Sequence, residues 1–267
     1  MRLCAPHTAV PPSLYYRQSK FKKSVAYYVQ KCYSPESEGM KMSEIAHVLD
    51  QLDGTLLHDI LVDVENQYEN IAHVQKTWYE NTKFLCPDGC GTCCEGFEPD
   101  LIESEALYMA AWLIENQNDT ALLIADGKFP FNNGDKTCPL FNPDSHWHCS
   151  IYGGRAFICR LFGASSFYGK DKKRVWKPCR FYPEDALRAY NAALSHRQYT
   201  EEETVSILGE MPPAMSDLMQ MSESSADSAK TVLLRDILPE TIRRLLWIIQ
   251  MNGNDNPNGT PSAPLAA

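Results

Sequence analysis

Eight of the ten cysteines in this 267-residue chain lie between positions 86 and 179. Four of them fall in the run CPDGCGTCC, where a short loop can bring several sulfurs onto one centre. Gly89, Gly91 and Gly96 fit such a loop, because glycine takes up positive φ without a steric clash. The spacing predicts a metal centre with ligands from Cys86, Cys90, Cys93, Cys94, Cys138, Cys149, Cys159 and Cys179.

Two kinds of centre use four thiolates. Zinc forms a closed tetrahedral site, and eight cysteines would fill two such sites. A [4Fe-4S] cluster needs the same number of ligands, and Cys86, Cys90 and Cys93 share the Cys-x3-Cys-x2-Cys spacing of the radical S-adenosylmethionine enzymes. Those enzymes build this loop on a partial βα barrel, which the helices expected on either side of the loop do not resemble. The sequence leaves zinc and an iron–sulfur centre open.

A disulfide framework fits the cysteines less well than metal binding. No signal peptide precedes them, which predicts a cytoplasmic protein in a reducing compartment. The neighbours Cys93 and Cys94 would also need a strained ring to form a disulfide with each other.

Charge and hydropathy exclude two broad classes of partner. The chain has 25 basic and 34 acidic residues and a net charge of −9, which argues against general binding to nucleic acid. The basic run at residues 170–177 would either contact an acidic partner or nucleic acid or form a solvated hairpin tip, and we expect the hairpin tip. No apolar stretch reaches the length of about 18 residues that would indicate a membrane span.

Apolar periodicity predicts several helices. The first runs over residues 43–78, with Ser43 as its N-cap and with Asp53-Gly54 kinking or splitting it. A second helix is expected at 104–116, directly after the clustered cysteines. Further helical pattern covers 183–197 and 231–251, and Pro239 is expected to break the latter.

The segment 126–182 is rich in glycine, proline and asparagine, and its best strand candidate is 174–176. Strands and helices do not alternate as they would in a Rossmann sheet or a TIM barrel. We therefore expect a mainly α fold, with minor β structure and a loop-rich, metal-stapled cysteine cluster.

The domain organisation follows from the same patterns. Residues 1–39 are expected to be disordered or to precede the true start of translation at Met40 or Met42. Residues 40–251 form the helical domain, with its cysteine motif region at 86–182. Residues 252–267 are of low complexity and are expected to form a disordered tail.

The order of the motifs resembles a known family. The chain reads C-x3-C-x2-C-C, then CPLF, then C-x2-Y-x2-R-x3-C-R with Tyr152, Arg155 and Arg160, then a final cysteine. This pattern is similar to the CxxCxxCC family, also called YkgJ-like cysteine cluster proteins, described as a zinc- or iron-chelating domain. The usual third block has proline after its first arginine, whereas this chain has Ala156. The resemblance implies binding of a metal ion or cluster.

Other residues near the cysteines carry candidate roles. Arg155, Arg160 and Arg180 would offset the negative charge of a thiolate centre or pair with carboxylates. His146 and His148 would be either imidazole ligands or solvated loop residues.

We expect a cytoplasmic metal-binding protein that holds zinc or an iron–sulfur centre. The alternative is a metal-dependent or iron–sulfur enzyme of protein modification, because one branch of the family resembles the flagellin lysine N-methylases, which methylate protein lysines with S-adenosylmethionine. No motif in this chain carries that activity over, and no catalytic residue is assigned. A protein partner fits either interpretation.

Overall fold

The computed structural model describes residues 43–84, 91–131, 134, 136–145, 148–219 and 230–254. The predicted arm at 1–39 and residues 255–267 lie outside this part of the chain, as do Cys86, Cys90 and His146.

The first two helices, α1 (Ala46–Gln51) and α2 (Leu56–Thr82), cover the region of predicted helical periodicity. They separate at Gly54, whose φ of +73° is the left-handed conformation that glycine adopts without strain. The split predicted here is confirmed. Thr55 then caps α2, because its hydroxyl accepts a hydrogen bond from the amide of His58 at 3.2 Å.

Ser43 does not cap the first helix, so that prediction is wrong. The residue before α1 is Ile45, and the Ser43 hydroxyl accepts the amide of Ile45 at 3.1 Å while it donates to the Glu65 carboxylate at 2.9 Å. The cap of α1 comes from Glu115, whose carboxylate accepts the amide of Val48 at 2.9 Å across 67 positions of sequence. A partner so distant in sequence cannot be found by local capping rules.

The other elements are short except for two helices. After a 3-10 turn at Thr92–Gly96, the helices are α3 (Glu103–Asn116), α4 (Asn118–Ala125), α5 (Phe157–Leu161), α6 (Glu184–Tyr190), α7 (Glu201–Leu208), α8 (Met215–Met219) and α9 (Leu234–Asn254). The strands are β1 (Asp100–Leu101), β2 (Phe167–Tyr168), β3 (Arg174–Trp176), β4 (Tyr199–Thr200) and β5 (Val232–Leu233).

The larger core lies where α9 packs on α3 and α4, and α2 packs on α3. β1 pairs antiparallel with β5 and so joins the start of α3 to the start of α9. The predicted helix at 104–116 is confirmed as α3.

α9 continues through Pro239, so the predicted break there is wrong. Proline inside a helix typically costs about 3 kcal/mol, because one amide donor is lost and the ring crowds the preceding turn. Leu238, Ile242 and Leu245 are fully buried in this helix, and each buried side chain of this size contributes roughly 1.5–3 kcal/mol. The packing of the helix therefore outweighs the cost of its proline.

A second, aromatic core lies around Trp78, Phe84, Trp176 and Tyr199. It packs beneath an antiparallel sheet with strand order β2-β3-β4, and the predicted strand at 174–176 is confirmed as β3.

The helix predicted at 183–197 ends early, at Tyr190. Asn191 has extended backbone, and its side chain accepts a hydrogen bond from the amide of Ala193 at 2.9 Å, which turns the chain away.

The described residues thus form a mainly α fold with minor β structure, as predicted. Within them, every helix is too short or too polar to cross a bilayer.

Candidate metal centre

Cys93 and Cys94 lie in the 3-10 turn at Thr92–Gly96. The amide of Cys94 donates to the carbonyl of Gly91 at 2.8 Å, which closes the turn. Gly91 does not have the positive φ of the left-handed region that we expected. A Cβ at Gly91 would overlap the Cβ of His148, so the residue is needed for close approach of two chain segments.

The first cysteine segment is joined to the next one by hydrogen bonds. The amide of Cys138 donates to the carbonyl of Cys94 at 3.1 Å, and the Thr137 hydroxyl donates to the carbonyl of Glu95 at 2.6 Å. Cys149 then pairs with Phe141 in an isolated antiparallel bridge. These contacts bring Cys138 and Cys149 beside the clustered cysteines.

Cys159 lies on α5, and buried polar side chains hold both ends of this short helix. The Glu105 carboxylate accepts hydrogen bonds from the amides of Phe157 at 2.5 Å and of Ile102 at 3.2 Å. At the other end, the Gln75 side-chain amide donates to the carbonyl of Arg160 at 2.8 Å.

Sequence reasoning missed both of these residues. Gln75 could have been found, because it is a polar residue on the buried stripe of α2 between Ile71 and Trp78. Glu105 lies at the start of α3, where an acidic residue is expected from the helix dipole alone.

The segment 152–156 shows why two consecutive glycines stand in the third cysteine block. A Cβ at Gly153 would overlap the Glu44 carboxylate and the indole of Trp112 on α3, and a Cβ at Gly154 would lie only 3.0 Å from that indole. Ala156, which replaces the usual proline, has a φ of −58° that proline also adopts. The substitution therefore leaves the path of the backbone into α5 unchanged.

Cys179 follows β3 and lies against the turn after α5. A Cβ at Gly163 would be 3.7 Å from the Cβ of Cys179.

All six described cysteines line one cavity of about 190 Å³. Its other walls are buried aliphatic and half-buried aromatic side chains, together with Arg155 and Arg160. These apolar wall residues include Met109, Leu140, Ile151 and Leu234, with Tyr79, Phe97, Phe162 and Phe181.

No disulfide joins any two of these six cysteines. Within the described residues, no three cysteine, histidine or acidic side chains are arranged to hold a metal ion. Cys86 and Cys90 lie outside those residues, so the predicted ligand set of eight cysteines stays a prediction.

Arg155 and Arg160 face this cavity without a carboxylate partner among the described residues. The Arg155 guanidinium lies 3.6 Å from the centre of the Tyr152 ring, and its Nε donates to the Tyr152 carbonyl at 3.1 Å. Arg160 lies 3.9 Å from the centre of the Tyr68 ring and donates to the carbonyls of Arg155 and Gly153. Burial lowers the pKa of Arg160, as expected for a cation removed from water.

Arg180, the third arginine proposed to balance the thiolates, is exposed and does not line the cavity. Its guanidinium lies 4.5 Å from the centre of the Phe181 ring.

Burial also changes the acidity of the thiols. It raises the pKa of Cys138 to about 12 and raises the pKa values of Cys149 and Cys159. Hydrogen bonding between the adjacent thiols lowers the pKa of Cys93 to about 7 and raises that of Cys94, and Arg155 further lowers the pKa of Cys93. Without a metal, most of these cysteines are therefore neutral thiols at neutral pH.

His148 does not line the cavity. Its Nδ1 lies 3.1 Å from the carbonyl oxygen of Asn142, and its ring packs against Phe141. The basic run at 170–177 forms the hairpin between β2 and β3, with exposed lysines at its tip, as predicted.

Comparison with known proteins agrees with the resemblance drawn from the motifs. Residues 85–192 match the CxxCxxCC family model, whose description is "Putative zinc- or iron-chelating domain". Searches of curated proteins and of solved structures found no match. The match supports metal binding by this part of the chain. Residues 85–192 are thus similar to the CxxCxxCC family.

Proposed function

We propose that this protein binds a metal centre, zinc or an iron–sulfur cluster, through thiolates of its clustered cysteines. One observation carries the proposal: all six described cysteines line a single cavity, and so do Arg155 and Arg160, which have no carboxylate partner in the part of the chain that the structure describes. The candidate ligands are Cys86, Cys90, Cys93, Cys94, Cys138, Cys149, Cys159 and Cys179.

The charges at the cavity fit such a centre. Four thiolates around Zn²⁺ carry a net charge of about −2, and four around an oxidised [4Fe-4S] cluster carry a similar charge. Arg155 and Arg160 would offset that charge at short range. A desolvated cation without a contacting counter-ion is costly, so a thiolate centre accounts for the position of the buried Arg160 guanidinium.

The acidity of the thiols is consistent with metal binding as well. A metal ion binds the thiolate and displaces its proton, so thiols with raised pKa values stay protonated until the metal arrives. One shared cavity favours a single centre over two separate sites. Because no three described donors are arranged to hold an ion, we propose that the ligand set includes Cys86 or Cys90, or that the loops close upon binding.

The test is purification of the full chain without oxygen, followed by elemental analysis and a visible absorption spectrum. Zinc with no visible absorption would identify a structural zinc site. Iron and sulfide with visible charge-transfer bands would identify an iron–sulfur centre. Protein that binds neither metal, even after reconstitution, would refute the proposal.

The second candidate is an enzyme of protein modification that uses the same centre. It is favoured by the number of cysteines, because four ligands suffice for either centre and six described cysteines line the cavity. A cysteine outside the metal shell would be available for chemistry. Single Cys-to-Ser variants would separate the two candidates, since a variant that retains all of its metal identifies a cysteine that is not a ligand.

A further inference from the structure

We propose that Arg235, in the first turn of α9, is a positioning residue for the metal centre. The proposal rests on the proposed metal-binding function and extends the site beyond residues 85–192, which the family model matches. It makes the C-terminal helix part of the site.

Arg235 holds the segment that follows the first cysteine motif. Its backbone amide donates to Glu98 Oε1 at 2.8 Å, and its Nε donates to Glu98 Oε2 at 2.6 Å. Only 4% of the Glu98 side chain is exposed. Glu98 closely follows the 3-10 turn at Thr92–Gly96, so this pair fixes the chain directly after Cys93 and Cys94.

The same guanidinium holds the second cysteine segment. Its Nη2 donates to the carbonyls of Thr137 at 3.2 Å and of Gly134 at 3.3 Å. Thr137 directly precedes Cys138. One side chain of α9 therefore bridges two segments that carry three of the candidate ligands.

The neighbouring residue brings α9 to the cavity itself. The amide of Leu234 donates to the carbonyl of Pro99 at 3.0 Å, and its side chain is part of the cavity wall. The start of α9 is thus anchored to the segment that follows Cys94 and to the segment that precedes Cys138.

An arginine suits this position for a geometric reason. Its planar fork can bind a carboxylate and backbone carbonyls at the same time, whereas lysine offers a single charged nitrogen and glutamine has no charge. Groups that orient metal ligands in this way typically affect metal affinity by about 10- to 100-fold.

The experiment compares Arg235→Gln and Arg235→Lys with Arg244→Gln in the full chain. Arg244 is the matched control, because it lies on the same helix and forms an exposed ion pair with Glu103 at 2.9 Å, away from the cysteines. Co²⁺ is the probe, titrated against a competing chelator, and its absorption spectrum reports ligand geometry. The thermal midpoint of each metal-free protein is measured alongside.

We expect Arg235→Gln to weaken Co²⁺ binding by about 10- to 100-fold and to alter the Co²⁺ spectrum. Arg235→Lys should recover part of the affinity, and Arg244→Gln should match the wild type. If Arg235→Gln lowers only the thermal midpoint and keeps wild-type affinity and spectrum, Arg235 has a structural role alone and the proposal is overturned.

A second variant covers the case in which Arg235→Gln does not fold. Glu98→Gln keeps the size of the partner and removes its charge, and it should weaken Co²⁺ binding in the same way. Wild-type affinity in Glu98→Gln would overturn the proposal. Failure of the wild-type protein to bind any metal would instead refute the proposed function.

Discussion

Among the described residues, Arg160 has no carboxylate within ion-pair distance, and the Glu44 carboxylate attracts it only from beyond that distance. Within the described residues, its guanidinium contacts an aromatic ring and two backbone carbonyls. It directly follows Cys159 in the chain and faces the same cavity. We infer that metal-bound thiolates supply the counter-charge at contact distance.

This inference predicts that Arg160→Gln weakens metal binding by about 10- to 100-fold, because the thiolates lose a nearby positive charge. Arg180→Gln is the control, since Arg180 is exposed and lies outside the cavity wall. Titration against a chelator measures both. Equal affinities in the two variants would contradict a role for Arg160 in balancing the charge.

The pKa values of the buried thiols predict opposite pH dependences for the two forms of the protein. Burial raises the pKa of Cys138 from an ordinary value of 9.0 to about 12. In the metal-free protein, this thiol therefore contributes stability that is fully present below pH 9.0 and is lost as the pH rises toward about 12. Metal affinity should rise with pH over the same range, because each ligand releases a proton on binding.

Thermal midpoints of the metal-free and metal-bound proteins between neutral pH and about pH 10 would test this. We expect the thermal midpoint of the metal-free protein to fall as the pH rises. The difference in midpoint between the metal-bound and metal-free proteins should widen over the same range. A difference that narrows as the pH rises would contradict the assignment of these thiols as ligands.

At the scale of elements, α5 shows how a five-residue helix can hold a candidate ligand. So short a helix is not stable by itself in water. Glu105 holds its start and Gln75 holds its end, and both side chains are buried.

Glu105→Gln should lower the free energy of unfolding by about 1–3 kcal/mol. The Glu105 carboxylate accepts hydrogen bonds from two backbone amides, and glutamine has only one oxygen to accept them. Glu103→Gln on the same turn of α3 should change the free energy of unfolding by no more than about 1 kcal/mol, since the contact of Glu103 among the described residues is an exposed ion pair with Arg244. Denaturant unfolding of both variants measures the difference. Equal losses would show that Glu105 has no special role in holding α5.

Elements whose stability is local were predictable from the sequence. The buried stripes of α2 and α3 and the glycine between α1 and α2 follow from apolar periodicity and backbone conformation alone. The cap of α1 and the continuity of α9 through Pro239 were not predictable, because each depends on packing between distant segments.

In the candidate site, likewise, some residues were predictable from the sequence and others were not. The number and spacing of the cysteines identified the six described cysteines that line the cavity. Its supports were missed, since the Glu98 and Arg235 side chains meet across 137 positions of sequence.

For the whole molecule, we propose that the helical domain carries the metal centre and that the two ends contribute nothing to it. Deletion of residues 1–39, or of the residues after Asn254, should leave the thermal midpoint and the metal content unchanged, because neither end has the apolar periodicity needed to join a core. Both quantities are measured on each truncated protein. A large loss in either would show that the deleted end belongs to the domain.

The central claim is that thiolates of the clustered cysteines hold a metal in the cavity. X-ray absorption at the edge of the metal found in the full-length protein tests it most directly. We expect a shell of sulfur ligands at about 2.3 Å from the metal. A first shell of oxygen and nitrogen alone, or protein that takes up no metal, would contradict the claim.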